Sequence, residues 1–168
     1  MGKPGGRHEK KLARQQNNAR KEIVTADTAA GKNLPTASGP QANDSDRFQW
    51  NGSTVDHEHD GAWSWRLSPS EIQELLATLS DLMQLSWAEV RAQTYNGKGG
   101  ARRVLHKSQS VGSLCAAARD RLDELQISTE QMFRLRRGTN LRIWGYVQGS
   151  VLHLLWYDKD HKVCPIDN

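Results

Sequence analysis

The run "RLRRGTNLRIWGYVQGSVLHLLWYDKDHKVCP", residues 134–165, decides the fold. It carries Arg134, Arg136, Arg137 and Arg142, with two tryptophans, two tyrosines and two histidines set among apolar residues. Apolar residues at every second position mark a strand. "LRIWGYV" reads as one strand, "QG" as a two-residue turn, and "SVLHLLWY" as the antiparallel partner. Upstream, "MFRLR" reads as another strand, with "RGTN" as a turn because Gly and Asn tolerate positive φ. Downstream, "DKDH" is a turn and "KVCP" a short last strand ended by Pro165.

A turn at Gln148-Gly149 sets the register. Val147 then faces Ser150, Tyr146 faces Val151, Trp144 faces His153 and Arg142 faces Leu155. One side, with Leu141, Ile143, Gly145, Leu152, Leu154 and Trp156, is expected to be the core. The other holds Arg142, Trp144, Tyr146 and His153. Flat rings beside a cation and an imidazole suit an anionic ligand that bears bases.

Before this sheet the apolar period is that of a helix. In "SPSEIQELLATLSDLMQLSW", Ser68 is an N-cap, Pro69 the first helical residue and Glu71 the partner in a capping box. Ile72, Leu75, Leu76, Leu79, Leu82 and Met83 form the apolar stripe. Ser86 and Glu89 repeat the box and open a short helix with Trp87 and Val90 inward. Ser113 is expected to cap a third helix running to about Leu125, with Leu114, Ala118, Leu122 and Leu125 on one face. "RFQW" and "AWSWRL" read as short strands, "VLHKSQSV" as a brief extended segment, and "TYNGKGGARR" as a flexible basic loop. The expected fold is therefore α+β: two or three helices, then a small antiparallel sheet, in one domain over residues 46–168.

Residues 1–45 read as a disordered tail, since their Gly, Pro, Asn, Gln and charge offer too little apolar surface to offset ordering. Of the net charge of +4, residues 1–40 supply eight basic against three acidic side chains. The remainder is polarised. Residues 41–97 carry three basic and nine acidic groups, and residues 98–142 carry ten basic and four acidic. This asymmetry makes either a polarised surface or a set of ion pairs across the fold. No run reaches the roughly 18 apolar residues that span a membrane. With no apolar leader and only two cysteines, Cys115 and Cys164, a cytoplasmic protein with free thiols is the expectation.

Guanidinium forks match phosphate geometry, so Arg134, Arg136 and Arg142, with Lys107 and an aromatic such as Trp144, form a candidate nucleic-acid site. His106 and His161 are candidate proton carriers for phosphodiester cleavage. "VDHEHD", residues 55–60, has metal-binding residue types but the spacing of no closed zinc motif, so no metal and no cofactor is expected. "GKGG" lacks the strand–helix frame of a phosphate loop.

Arg134, Leu135, Arg142, Trp144, Gly145, Trp156, Asp158, His161, Val163 and Pro165 follow a pattern that resembles a group of small bacterial and phage-borne proteins. "LSWAEV" is similar to the same group. In element order, residues 68–165 also resemble toxins of the RelE/ParE type. That resemblance implies an RNA-acting toxin that cleaves without a metal. It implies a catalytic set drawn from Arg134, Arg136, Arg142 and Tyr146, with His161 as acid or base, and RNA or the ribosome as partner. His106 joins the catalytic candidates from its place beside this region. A cognate acidic antitoxin and no membrane partner are implied too. The chain departs from the toxin pattern in its basic tail and in its ending, "DKDHKVCPIDN". The other expectation is a non-enzymatic interaction module of mobile-element origin that binds a protein or nucleic acid, because such folds host both activities.

Overall fold

The computed structural model describes residues 42–138 and 141–165. Most of the expected disordered tail, residues 1–41, lies outside the described residues. Residues 42–45 are packed on the domain. Ala42 is buried, and the amides of Ala88 and Trp87 bond the carbonyls of Asp44 and Asp46.

The described residues form an α+β fold. In chain order the elements are β1 (Gln49–Asn51), α1 (Pro69–Leu82), α2 (Trp87–Ala92), β2 (Thr94–Asn96), β3 (Arg102–Val104), β4 (Lys107–Ser110), α3 (Ala116–Glu124), β5 (Gln131–Arg137), β6 (Leu141–Gln148) and β7 (Val151–Tyr157). The main sheet has the order β1-β7-β6-β5-β4, and β2 and β3 form a separate hairpin. The sheet is mixed rather than purely antiparallel, because β1 runs parallel to β7. Hairpin-linked strands must be antiparallel, whereas β1 reaches β7 across most of the domain and is free of that constraint.

Both capping boxes form. Ser68 Oγ accepts the Glu71 amide at 3.3 Å while the Glu71 carboxylate accepts the Ser68 amide at 2.7 Å, and Ser86 with Glu89 does the same. On α1, Leu75, Leu79 and Leu82 are buried, but Ile72, Leu76 and Met83 are 44%, 49% and 46% exposed. The third helix begins at Ala116 rather than after Ser113, which lies in the 3-10 turn Val111–Ser113. The Cys115 amide is already held by the Val163 carbonyl at 2.9 Å.

The β6–β7 register differs from the expected one. The turn is Gly149-Ser150, with Gly149 at φ 58°. A positive φ at the first central position favours glycine there. Tyr146 therefore faces His153, Gly145 faces Leu154, and Trp144 faces Trp156, with Leu155 left over as a bulge. The bulge moves Trp156 onto the face of Trp144, so the expected assignment of faces is corrected. Only glycine fits at position 145, where a Cβ would lie 2.1 Å from the His153 carbonyl oxygen.

The sheet consequently has a core on each side. Phe133, Leu135, Ile143, Leu152 and Leu154 pack with α1, α2 and Phe48. Met132, Trp144, Tyr146, Leu155 and Trp156 pack with Ala118 and Leu122 of α3, Trp63 and Val163. The side expected to face solvent is thus largely a second core.

Two buried carboxylates organise that second core. Asp56 accepts both Nε and Nη2 of Arg121, at 2.9 and 2.8 Å, and Nε1 of Trp156 at 3.1 Å. Burial pulls its pKa up, but the bonds from Arg121 and Trp156 outweigh it and hold the carboxyl below its ordinary value. Asp158 accepts Nε1 of Trp144 and the amides of Lys162 and Val163, the last two at 2.8 and 3.0 Å. Those amides are therefore not available to a ladder, and "KVCP" is a turn rather than the expected strand. "AWSWRL" is not a strand either: Trp63 stacks on His59 at 4.5 Å, and Trp65 donates to the Leu155 carbonyl.

None of the described helices is long and apolar enough to cross a membrane.

Removing Asp56 leaves the Arg121 charge and the Trp156 indole unmet. Asp56→Ala is expected to lower unfolding free energy by about 3–5 kcal/mol in urea denaturation. A loss below about 1 kcal/mol, the range of an exposed pair, would show that Asp56 is not the organising contact.

Candidate anion-binding site

The Trp144 face also carries a cavity of about 840 Å³. Its floor comes from β4, β5 and β6, and one wall is the β2–β3 hairpin with Tyr95 and Arg103. The opposite rim is the turn that contains Asp158 and His161. Six cationic side chains line it, Arg91, Arg103, Lys107, Arg134, Arg136 and Arg142, against the single carboxylate of Asp158.

Strand register explains the crowding of charge. Arg136 lies directly across from Arg142, and Lys107 directly across from Arg134. Like charges placed opposite one another on a sheet are destabilising. Among the described residues, no carboxylate forms an ion pair with any of these four. Arg137, on the other face, is paired with Asp81 at 3.0 Å, and Arg91 is paired with Asp44.

Arg142 is the most constrained of the group. It is 5% exposed, and its one side-chain hydrogen bond among the described residues goes from Nη1 to the Leu141 carbonyl at 2.9 Å. Burial, then the neighbouring Arg136 and Arg134, push its pKa down to about 10, so it remains charged at neutral pH. Arg134 is shifted down for the same reasons, burial first and Arg136 second. Its Nε is buried with no hydrogen-bond partner among the described residues. Arg136 sits over the Tyr95 ring at 3.8 Å, a cation–π contact that fixes the guanidinium at the cavity wall.

The two candidate proton carriers differ. His161 lies on the cavity rim with φ 57°, an uncommon conformation outside glycine, and its Nε2 is buried without a partner among the described residues. The bonds from Asp158 to the two following amides hold that strained turn in place. His106 is 3% exposed and both ring nitrogens are engaged. Nε2 donates to Gln93 Oε1 at 3.1 Å, and Nδ1 accepts the Arg136 amide at 3.2 Å. Burial, with a contribution from Arg134, lowers its pKa to about 4. His106 therefore stands as a neutral ring that positions β5 beside β4.

Of the residues expected to act together, the cavity collects His106, Lys107, Arg134, Arg136, Arg142, Trp144 and His161. Trp144 is only 1% exposed, in a wall of the cavity, with its indole N–H on Asp158. Tyr146 does not join the cavity. It lies in the second core, stacked on His153 at 4.9 Å, and burial raises its hydroxyl pKa. Sequence reasoning missed Tyr95. The signal was present, since "TYN" and "RRV" flank a glycine-rich turn in which Gly99 and Gly100 take φ 80° and 78°. No cluster of three His, Cys, Asp or Glu side chains suited to a metal occurs among the described residues.

The chain matches no family model, no curated protein and no solved structure.

The neutral state of His106 has a sign that can be checked. A folded-state pKa near 4 against an ordinary 6.5 means the unfolded chain takes up the proton first. The contribution of His106 to stability is full above pH 6.5 and is lost as pH falls toward 4. Nitrogen-15 NMR of the ring is expected to show the neutral Nε2–H tautomer throughout that window. Protonation of His106 at or above its ordinary pKa would contradict the buried, doubly bonded ring.

Proposed function

We propose that the cavity binds the phosphates of single-stranded RNA, and that the protein is a RelE-like, toxin-type ribonuclease acting without a metal. The observation that carries this reading is Arg142, a buried guanidinium with two other guanidiniums close by and no carboxylate paired to it. An isolated buried charge is costly, and a bound anion is what removes the cost. Phosphate suits guanidinium forks, and the aromatic wall at Tyr95 suits a base or sugar.

In this reading Arg134, Arg136, Arg142 and Lys107 hold a phosphodiester and stabilise the charge that builds on its oxygens. His161 accepts the proton of the 2′-hydroxyl as that oxygen attacks phosphorus to form a 2′,3′-cyclic phosphate, and the 5′-oxygen leaves with a proton taken from water. The ribosome, or a small acidic antitoxin, would meet the same cations from outside. One observation favours the second reading, an interaction module that binds nucleic acid without cutting it. Both His106 nitrogens are committed to the fold, which leaves His161 as the lone histidine of the cavity with a free ring nitrogen.

Arg142→Met separates ligand binding from folding. Replacing an unmatched buried charge with an apolar side chain is expected to leave the free protein as stable or up to about 4 kcal/mol more stable. Affinity for a short single-stranded RNA, followed by fluorescence polarisation, is expected to fall roughly ten- to hundredfold. Wild-type cleavage is expected to survive EDTA and to vanish in His161→Ala. Binding without cleavage selects the interaction module, and unchanged RNA affinity in Arg142→Met overturns both readings.

A further inference from the structure

Register places four of the six cations of the cavity on two rungs of the sheet. Arg136 and Arg142 face each other on one rung, and Lys107 and Arg134 on the next, two residues away along β5. Two residues of strand span about 7 Å. Each rung is a like-charge pair, and each needs its own counter-charge to become favourable. Trp144 occupies the third place on the second rung, opposite Arg134, and lines the cavity there. Tyr95 lies within electrostatic reach of both Arg134 and Arg142 while its ring carries Arg136. It therefore stands beside both rungs. The volume, about 840 Å³, is far more than one phosphate fills and lies within the range of sites for whole small molecules.

We propose that the cavity holds two phosphates one nucleotide apart, one on each rung, with the nucleoside between them lying against Tyr95. The smallest ligand it fully recognises is then a nucleoside 3′,5′-bisphosphate, the unit that repeats along a nucleic-acid strand. This rests on the reading of the cavity as an RNA-phosphate site and adds the spacing. It excludes a lone phosphate as the preferred ligand, and also a diphosphate, whose two phosphorus atoms share one oxygen and sit too close to span the rungs.

The test is calorimetric titration of the full chain with four probes: inorganic phosphate, a nucleoside 5′-monophosphate, the 5′-diphosphate and the 3′,5′-bisphosphate. The bisphosphate is expected to bind at least about tenfold more tightly than the monophosphate, and more tightly than the diphosphate of similar charge. Lys107→Gln is a change at an exposed side chain that the fold tolerates. It is expected to reduce bisphosphate affinity to the monophosphate level while leaving the monophosphate bound at the other rung. If diphosphate and bisphosphate bind equally, charge rather than spacing governs the site and the two-rung proposal is overturned, with the phosphate site intact. If Lys107→Gln leaves bisphosphate affinity unchanged, the second rung is not a subsite and the proposal is likewise overturned. If none of the four binds at millimolar concentration, the reading of the cavity as a phosphate site falls with it.

Discussion

Taking a guanidinium out of water costs several kcal/mol unless an opposite charge meets it, and at Arg142 the described residues supply a single backbone carbonyl. The surrounding structure is arranged around that burden. Trp144, Asp158 and the turn through Val163 close over the strand that carries Arg142, and the Asp158 amide bonds the Arg142 carbonyl at 2.8 Å. Arg136, directly opposite, adds repulsion rather than relief. A protein whose only concern was stability would place an apolar side chain at position 142. Arginine there costs stability, a pattern expected where a site is built for a ligand.

Asp158, the carboxylate of the cavity, acts on Arg134 and Arg142 only at a distance, because its oxygens accept the Trp144 indole and the amides of Lys162 and Val163. The other acidic groups have tasks elsewhere. Asp56 holds Arg121 and the Trp156 indole, Asp81 holds Arg137, Asp44 holds Arg91, and Glu71 receives Lys159 and the Tyr157 hydroxyl. The polarised charge of the chain thus resolves into two parts. Much of the acidic first half is matched by cations on α2, α3, β5 and the 158–163 turn. Among the described residues, the cations that this matching leaves without a carboxylate include the four on two adjacent rungs of β4, β5 and β6. Local pairing elsewhere therefore sharpens the positive potential of the cavity.

Much of this was legible in the sequence where the signal is local. Ser68-Pro69 with Glu71, and Ser86 with Glu89, are complete within four residues, and both helices start where those residues say. The strands at Phe133, Ile143 and Leu152 follow from alternation, and the convergence of Arg134, Arg136, Arg142 and Lys107 follows from placing those strands side by side. What was not legible depends on single-residue offsets and on distant partners. Moving the turn from Gln148-Gly149 to Gly149-Ser150, and bulging Leu155, moves Trp156 to the face of Trp144 while Leu154 stays on that of Ile143. A hint lay in "LLWY", where alternation stops, as it does in strands buried on both sides. The parallel pairing of β1, the cover that α3 gives to the second face, and the capture of "HKVC" by Asp158 are all long-range facts. The seat of Tyr95 beneath Arg136 is another, and no window of sequence contains it.

The claim at the centre is that Arg134 and Arg142 are buried to receive an anion. Side-chain Nε–H NMR reads those two groups directly. On titrating the full chain with a short single-stranded RNA, their Nε–H signals are predicted to move together and saturate, while those of Arg121 and Arg137, already paired with carboxylates, stay in place. Signals of Arg134 and Arg142 that remain fixed while RNA binds elsewhere, or that move no more than those of Arg121 and Arg137, would contradict the account.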